Sequence, residues 1–191
     1  MIETLIEVQR LKSLERSGWM LRGLPPGSES VAAHSFGVAA AAMMLADEAR
    51  ARGAEVDVEL VLRFALLHDW AEVRVGDLPR TASLYFGAEA RQGAETAAFA
   101  DLVQNLSDAV AEKYQALHQL YEDRACVESR LVKAADIIDL LVQTLAFERA
   151  GARGLNEFWE NAATMDFKLA GVTAEVVAEA LNDLKRAREK F

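Results

Sequence analysis

The chain has 191 residues, of which 52% are hydrophobic and 27% are charged. This length and composition are typical of one globular domain with a full hydrophobic core, and no repeat or long linker marks a domain boundary. The formal net charge of −9 argues against a nucleic-acid-binding protein, because duplex binding normally needs a basic surface. A small anionic substrate is still compatible with this net charge if positively charged residues cluster at its binding site.

Cysteine usage and hydropathy predict a cytoplasmic protein with no membrane segment. The single cysteine, Cys126, cannot form an internal disulfide. The sequence shows neither a charged-then-apolar leader nor a run of about 18 apolar residues.

Helical signals recur along the whole chain, and no segment shows the alternation typical of a strand. We therefore predict an all-α fold, a single-domain bundle of about six to eight helices over residues 1–191. Ser30 and Thr173 are candidate N-caps, and Ser107 is a third. The predicted helices cover residues 2–14, 31–52, 57–75, 88–104, 108–121, 128–149, 156–164 and the segment after 173.

The second predicted helix carries His34 in its first turn, among small apolar residues. These neighbours allow another helix to pack closely on this face. A lone histidine in such a setting is more often a hydrogen-bonded core residue than a metal ligand. His34 by itself therefore predicts no site.

Three ionisable residues, His68, Asp69 and Glu72, follow the apolar run of the third predicted helix. Adjacent helical residues lie about 100° apart, and residues four apart share a face, so His68 and Asp69 should flank one position that Glu72 also faces. A buried charge without a partner is costly, and a bound metal is the simplest partner. A glycine and a proline then end the helical pattern and place Asp77 in a loop beside it.

Asp136 lies in an apolar stretch of the helix predicted for residues 128–149. Taken alone, such an acid is more often paired with a nearby cation, here Lys133 or Arg130. Taken with the two histidines and Asp69, it completes a mixed nitrogen and oxygen set that suits one divalent metal, whether manganese, cobalt, iron, nickel or zinc. The candidate ligands are His34, His68, Asp69 and Asp136.

The order of these residues resembles a known family. His34, then His68-Asp69, then Asp136 is the signature of the HD-domain metal-dependent phosphohydrolases. Shorter segments make the chain similar to the HD-domain 5′-deoxynucleotidases, over about residues 8–145. These segments are Leu11-Lys12 with Arg16-Ser17-Gly18-Trp19, Glu29 to Ser35, His68 to Glu72, and Gly76 to Pro79.

The resemblance implies a helical HD-type fold, one metal ion per chain held by the four candidate ligands, and usually a homodimer. It also implies hydrolysis of deoxyribonucleoside 5′-monophosphates to nucleoside and phosphate. Glu72 matches the residue that handles the attacking water, while Arg16 and Asp77 match residues that line the phosphate and sugar site. Trp19 is expected beside the sugar, although in some relatives the tryptophan directly follows the arginine.

The residues suit this chemistry without the family. A metal lowers the pKa of bound water and neutralises charge on phosphoryl oxygens. Glu72 is placed to orient that water or to pass its proton to the leaving alkoxide. Arg16 can grip a phosphate by paired hydrogen bonds, or else be a solvated side chain after the first helix. For Trp19 the alternative is a packing role in the core or a loop.

A second metal is not expected, because binuclear HD enzymes use further histidine ligands. Only His118 is left over, and its sequence context predicts an exposed helix face.

Two other functions are compatible with the residues. An HD hydrolase of nucleoside triphosphates or signalling nucleotides would need more pocket cations than Arg16 and Arg22. A non-catalytic HD interaction module would need neither the intact ligand set nor Glu72.

Overall fold

The computed structural model describes residues 1–190, apart from the side chains at positions 80 and 83. Across these residues the regular structure is helical, and the β-type pairing is limited to one isolated antiparallel bridge between Glu15 and Ser30. The predicted all-α class is therefore confirmed. Seven helices have eight residues or more, within the predicted number.

The helices are numbered in chain order, with a 3₁₀ turn over Gln9–Lys12 and another over Arg80–Ala82. They are α1 (Ile2–Val8), α2 (Ser17–Met20), α3 (Val31–Ala51), α4 (Val58–Leu67), α5 (Glu72–Val75), α6 (Ser83–Phe86), α7 (Ala88–Val103), α8 (Asp108–Glu122), α9 (Val127–Arg149), α10 (Asn156–Ala163) and α11 (Gly171–Glu189). None of the helices in the described part of the chain is long and apolar enough to cross a membrane.

Some predicted boundaries differ from the observed ones. The first helix gives way to the 3₁₀ turn after Val8, and α11 begins at Gly171, so Thr173 lies inside the helix and not at its cap. The cap predicted at Ser30 is confirmed, because its hydroxyl accepts a hydrogen bond from the backbone N–H of Ala33 at 3.1 Å.

The third predicted helix ends earlier than expected. α4 stops at Leu67, and His68 and Asp69 lie in the turn that leads to α5. Within this turn the N–H of Trp70 bonds to Leu67 O and that of Glu72 to Asp69 O, both at 3.0 Å. These bonds span three residues where an α-helix spans four, so the prediction of one continuous helix was wrong.

The chain divides into two compact units, residues 1–35 with 66–123, and residues 36–65 with 124–191. The single domain predicted for residues 1–191 stays a prediction.

The first unit packs its aromatic side chains between α7, α8 and the turn before α5. Trp70 stacks on Phe99 and meets the edge of Tyr114. His118 is 3% exposed and its ring stacks on Phe99 with centroids 4.2 Å apart. The exposed position predicted for His118 was therefore wrong, since its ring is a core group of this unit.

The second unit is built on α9, against which α10 and α11 pack. Its core contains Ile137, Leu141 and Leu145 from α9 and Trp159 and Ala162 from α10. The spacing of three and four residues along α9 places these three aliphatic side chains on one face.

Gly37 of α3 lies directly against Asp139 of α9 in this unit. A Cβ atom added at Gly37 would lie 2.7 Å from Cγ of Asp139, well inside van der Waals contact. We expect Gly37→Ala to lower the free energy of unfolding by about 1–2 kcal/mol, because overpacking outweighs the gain in helix propensity. Urea denaturation of the variant and the natural chain measures this difference.

Gly93 of α7 is the matched control. It is also a helical glycine, but a Cβ atom there would meet nothing within 4 Å. Gly93→Ala should raise the free energy of unfolding by about 0.5–1 kcal/mol through helix propensity alone. Changes of the same sign in both variants would contradict the close approach at Gly37.

Candidate metal and phosphate site

The site in the first unit is built around Asp69, in the turn between α4 and α5. Its Oδ2 atom lies 3.1 Å from Nε2 of His68 and 3.7 Å from Nε2 of His34, and the two imidazole rings are 5.6 Å apart. His34 comes from the first turn of α3, and both histidines are buried. Three predicted metal ligands therefore meet in one place.

The electrostatics of Asp69 favour its ionised form. Burial alone would raise the pKa of this carboxyl, but the His68 and His34 imidazoles and the Arg16 guanidinium lower it below its usual range. The Oδ2 atom is buried and makes no hydrogen bond with any described residue; the close approach of His68 lacks hydrogen-bond geometry. A buried carboxylate oxygen facing two imidazoles has the donor chemistry of a divalent metal site.

Arg16 lies beside the same carboxylate and is mostly buried. Its Nη1 atom is 3.9 Å from Oδ2 of Asp69 and 3.4 Å from Oδ1 of Asp77. The other Asp77 oxygen accepts a hydrogen bond from the backbone N–H of Ser17 at 2.6 Å. Asp77 therefore holds both the side chain of Arg16 and the start of α2, and the solvated alternative for Arg16 is wrong.

Trp19 packs into the core of this segment. Its side chain is 1% exposed, and its indole N–H donates to Oε2 of Glu29 at 2.6 Å. Glu29 also accepts a backbone hydrogen bond from Arg16, at 3.1 Å, next to the bridge between Glu15 and Ser30. The packing alternative for Trp19 is thus observed, while a contact with substrate stays a prediction.

Glu72 begins α5 and is buried, 5% exposed. Burial raises the pKa of its carboxyl well above the usual value, the negative charges of Asp69 and Asp77 raise it further, and the charges of Arg16 and Arg91 oppose this rise. Its Oε2 atom is buried and makes no hydrogen bond with any residue in the described part of the chain. Glu72 therefore joins the same set of charged groups.

Asp136, the fourth predicted ligand, lies on α9 in the second unit. Lys133, one turn earlier, donates to its Oδ2 atom at 2.6 Å. The ion pair that the sequence offered as an alternative is thus present, and the role of Asp136 as a ligand stays a prediction.

The family model described as HD domain matches residues 8–169. The chain belongs to the HD domain family. The match extends beyond the resemblance predicted for residues 8–145 and includes every predicted site residue.

This HD protein is similar to proteins named 5′-deoxynucleotidases. The chain is 30% identical to the 5′-deoxynucleotidase HDDC2 of Xenopus laevis, over 82% of this chain and 74% of the relative. It is 28% identical to the 5′-deoxynucleotidase YGK1 of Saccharomyces cerevisiae over 79% of this chain and 69% of the relative.

Solved structures share the fold of this HD protein. The PH0347 protein of Pyrococcus horikoshii is 32% identical, with a TM-score of 0.79 over 98% of this chain and 99% of that one. A predicted metal-dependent phosphohydrolase of Magnetospirillum magnetotacticum is 22% identical, with a TM-score of 0.64 over 97% and 91%. This second likeness concerns the fold alone.

Two charged residues near the site were given no role by the sequence analysis. Glu29 lies in the segment Glu29 to Ser35 that carries the family resemblance, but nothing in the sequence assigns it a role. The structure shows its role, because it accepts a hydrogen bond from Trp19. Arg91 lies on α7, outside every motif, and its signal is the charge it exerts on Glu72. Sequence motifs do not identify either residue, because only tertiary packing brings them near Arg16 and Glu72.

Proposed function

We propose that this chain is a metal-dependent 5′-deoxynucleotidase, a phosphoric monoester hydrolase that converts deoxyribonucleoside 5′-monophosphates to nucleoside and phosphate. The observation that carries the proposal is the meeting of His34, His68 and Asp69 with the guanidinium of Arg16. An arginine beside a metal-type donor set suits a phosphate dianion. The substrate class is supported by relatives that bear this activity in their names.

The cofactor in this proposal is one divalent metal ion per chain. His34, His68 and Asp69 would hold it, and the buried Oδ2 atom of Asp69 fits such an ion. Asp136 is proposed as the fourth ligand from its place in the HD signature. When bound, the ion would stabilise negative charge on the phosphoryl group and promote the ionisation of water. Imidazole and carboxylate ligands accommodate manganese, cobalt, iron, nickel or zinc.

The side chains of the first unit would divide the remaining work. Arg16 binds the phosphate, and Asp77 positions Arg16 and the backbone of Ser17. Glu72, with its Oε2 atom without a hydrogen bond in the described chain, orients the attacking water or passes a proton to the leaving 5′ oxygen. Trp19 supports the Arg16 segment through Glu29, and its place beside the sugar is proposed from the resemblance to the HD-domain 5′-deoxynucleotidases.

The assembly and location proposed for the enzyme are a homodimer in the cytoplasm, acting on a small nucleotide with no nucleic acid or membrane partner. Exposed apolar side chains at helical spacing on α1, Ile2, Leu5 and Ile6, support a contact between copies. A single species of monomer mass in sedimentation velocity would contradict the dimer.

Phosphate release from a panel of nucleotides tests the proposed function. With added manganese or cobalt, we expect hydrolysis of deoxyribonucleoside 5′-monophosphates and little release from triphosphates or cyclic nucleotides. Prior treatment with a chelator should abolish release, and added metal should restore it.

The panel also separates the alternatives. Preference for triphosphates or a signalling nucleotide would replace the proposed substrate with another phosphorylated molecule. No release from any member of the panel after metal reloading would favour a non-catalytic HD module.

A further inference from the structure

Arg91, in the first turn of α7, is a second cation at the site. Its side chain is 29% exposed, and its Nε atom donates to Oε1 of Glu95 at 2.7 Å, one turn further along the helix. Within the described part of the chain Glu95 is the only hydrogen-bond partner of the Arg91 side chain. The two terminal nitrogens of this guanidinium, which carry four N–H groups, are therefore available to a ligand.

The charge of Arg91 reaches the carboxylates of the site. Helix α5, which begins with Glu72, packs against α7. Burial alone would lower the pKa of Arg91, but the hydrogen bond and charge of Glu95 and the charges of Glu72 and Asp77 raise it. The packing of α5 on α7 therefore brings Arg91 close enough to Glu72 and Asp77 for their charges to act on it.

The guanidinium of Arg16 is already shared between carboxylates of the site. Asp69, Glu72 and Asp77 are all acidic, and Arg16 already faces two of them. Arg91 differs because its ion pair with Glu95 uses only Nε and fixes the orientation of the guanidinium. An arginine held at Nε presents its two terminal nitrogens as a pair, which matches two oxygens of a phosphate.

We propose that Arg91 binds the phosphate group of the substrate together with Arg16, and that Glu95 positions it for this contact. The inference rests on the proposed function for the choice of substrate. It adds a residue of α7, outside the HD signature, to the phosphate site. Arg91 contacts the phosphate and not the base or sugar, so its effect should be the same for every nucleoside monophosphate.

Steady-state kinetics of Arg91→Gln and Arg91→Ala test the proposal. We expect kcat/KM for deoxyribonucleoside monophosphates to fall about 10- to 100-fold, the usual range for a hydrogen bond to a charged group. The inhibition constant for inorganic phosphate should rise by a similar factor, while inhibition by the deoxynucleoside product should change less than about twofold. Metal content should stay that of the natural chain.

Arg63→Ala is the matched control. Arg63 forms the same type of pair, with Glu59 four residues away, on α4. Its kinetic constants should equal those of the natural chain. Arg16→Ala serves as a positive control for loss of phosphate binding.

The result that overturns the proposal is an unchanged inhibition constant for phosphate in a folded Arg91 variant. Circular dichroism and Tm establish folding, and Arg91→Gln, which keeps a polar side chain with most of the aliphatic stem, covers the case in which Arg91→Ala does not fold. Calorimetric titration with inorganic phosphate decides the matter even if the natural chain hydrolyses no monophosphate. Affinity at least tenfold weaker in Arg91→Gln would support the phosphate site, and equal affinities or no binding to either protein would overturn it.

Discussion

Replacing Glu72 with glutamine is expected to lower kcat by about 10²- to 10⁴-fold, the usual contribution of a positioned acid or base. Glutamine keeps the size of the side chain and its place at the start of α5, but it neither accepts nor releases the proton. The metal ligands are separate residues, so metal content should be unchanged. KM should change little, because Arg16 and the metal ligands are intact.

The stability of Glu72→Gln provides a second readout. Glu72 is buried near the negative charges of Asp69 and Asp77, so removal of its charge should leave Tm unchanged or raise it. Glu89→Gln, at an exposed position in the first turn of α7, is the control and should retain full activity. A Glu72 variant that loses its metal would make Glu72 a ligand, and near-normal turnover would assign proton transfer to Asp77 or to solvent.

The sequence predicted the parts of the site that depend on local order. The chain order of His34, His68-Asp69 and Asp136 predicted the family, which the HD domain match confirms. The cap at Ser30 fixed the start of α3 and with it the place of His34 in the first turn. These features could be predicted because a helix cap depends on neighbouring residues and the order of the ligands is visible along the sequence.

The turn after Leu67 could not be predicted in this way. Residues 68–75 contain no glycine or proline, so propensity favours a continuous helix. The break is set by tertiary packing, in which Trp70 stacks on Phe99 and meets Tyr114. In this tighter turn the N–H of Glu72 bonds to the carbonyl of Asp69, three residues back, where a continuous α-helix would pair it with His68, four residues back.

The tertiary surroundings of charged and polar residues also could not be predicted from the sequence. Arg91 and Glu95 have the spacing of an ordinary exposed helix pair, and only the packing of α5 on α7 makes Arg91 part of the site. Polar and apolar residues alternate around His118 in the sequence and do not show that its ring is buried on Phe99. In both cases the deciding neighbour is distant in the sequence.

Asp69→Ala is expected to remove the metal. Because catalysis depends on the metal, kcat should fall by about 10²-fold or more. Both carboxylate oxygens are lost, and Oδ2 is the atom that faces His34, His68 and Arg16. Elemental analysis of the purified variant should find well below one metal ion per chain, where the natural chain holds about one.

Thermal stability distinguishes loss of the ligand from a general loss of fold. A ligand that binds only the folded state at 1,000 times its Kd stabilises it by about 4 kcal/mol, so added metal should raise Tm of the natural chain after chelation. Tm of Asp69→Ala should not respond to metal. It should also lie below that of the chelated natural chain, because two buried imidazoles and Arg16 lose the carboxylate that they face.

Asp47→Ala gives the matched comparison, since this aspartate is exposed on α3. Its metal content and its response of Tm to metal should equal those of the natural chain. If Asp69→Ala instead retained a full equivalent of metal, the ion would be held without Asp69, and the buried Oδ2 atom would serve Arg16 and the two imidazoles alone. Activity lost with metal retained would then make Asp69 a residue that orients Arg16, because the guanidinium would lose one of the two carboxylates that position it.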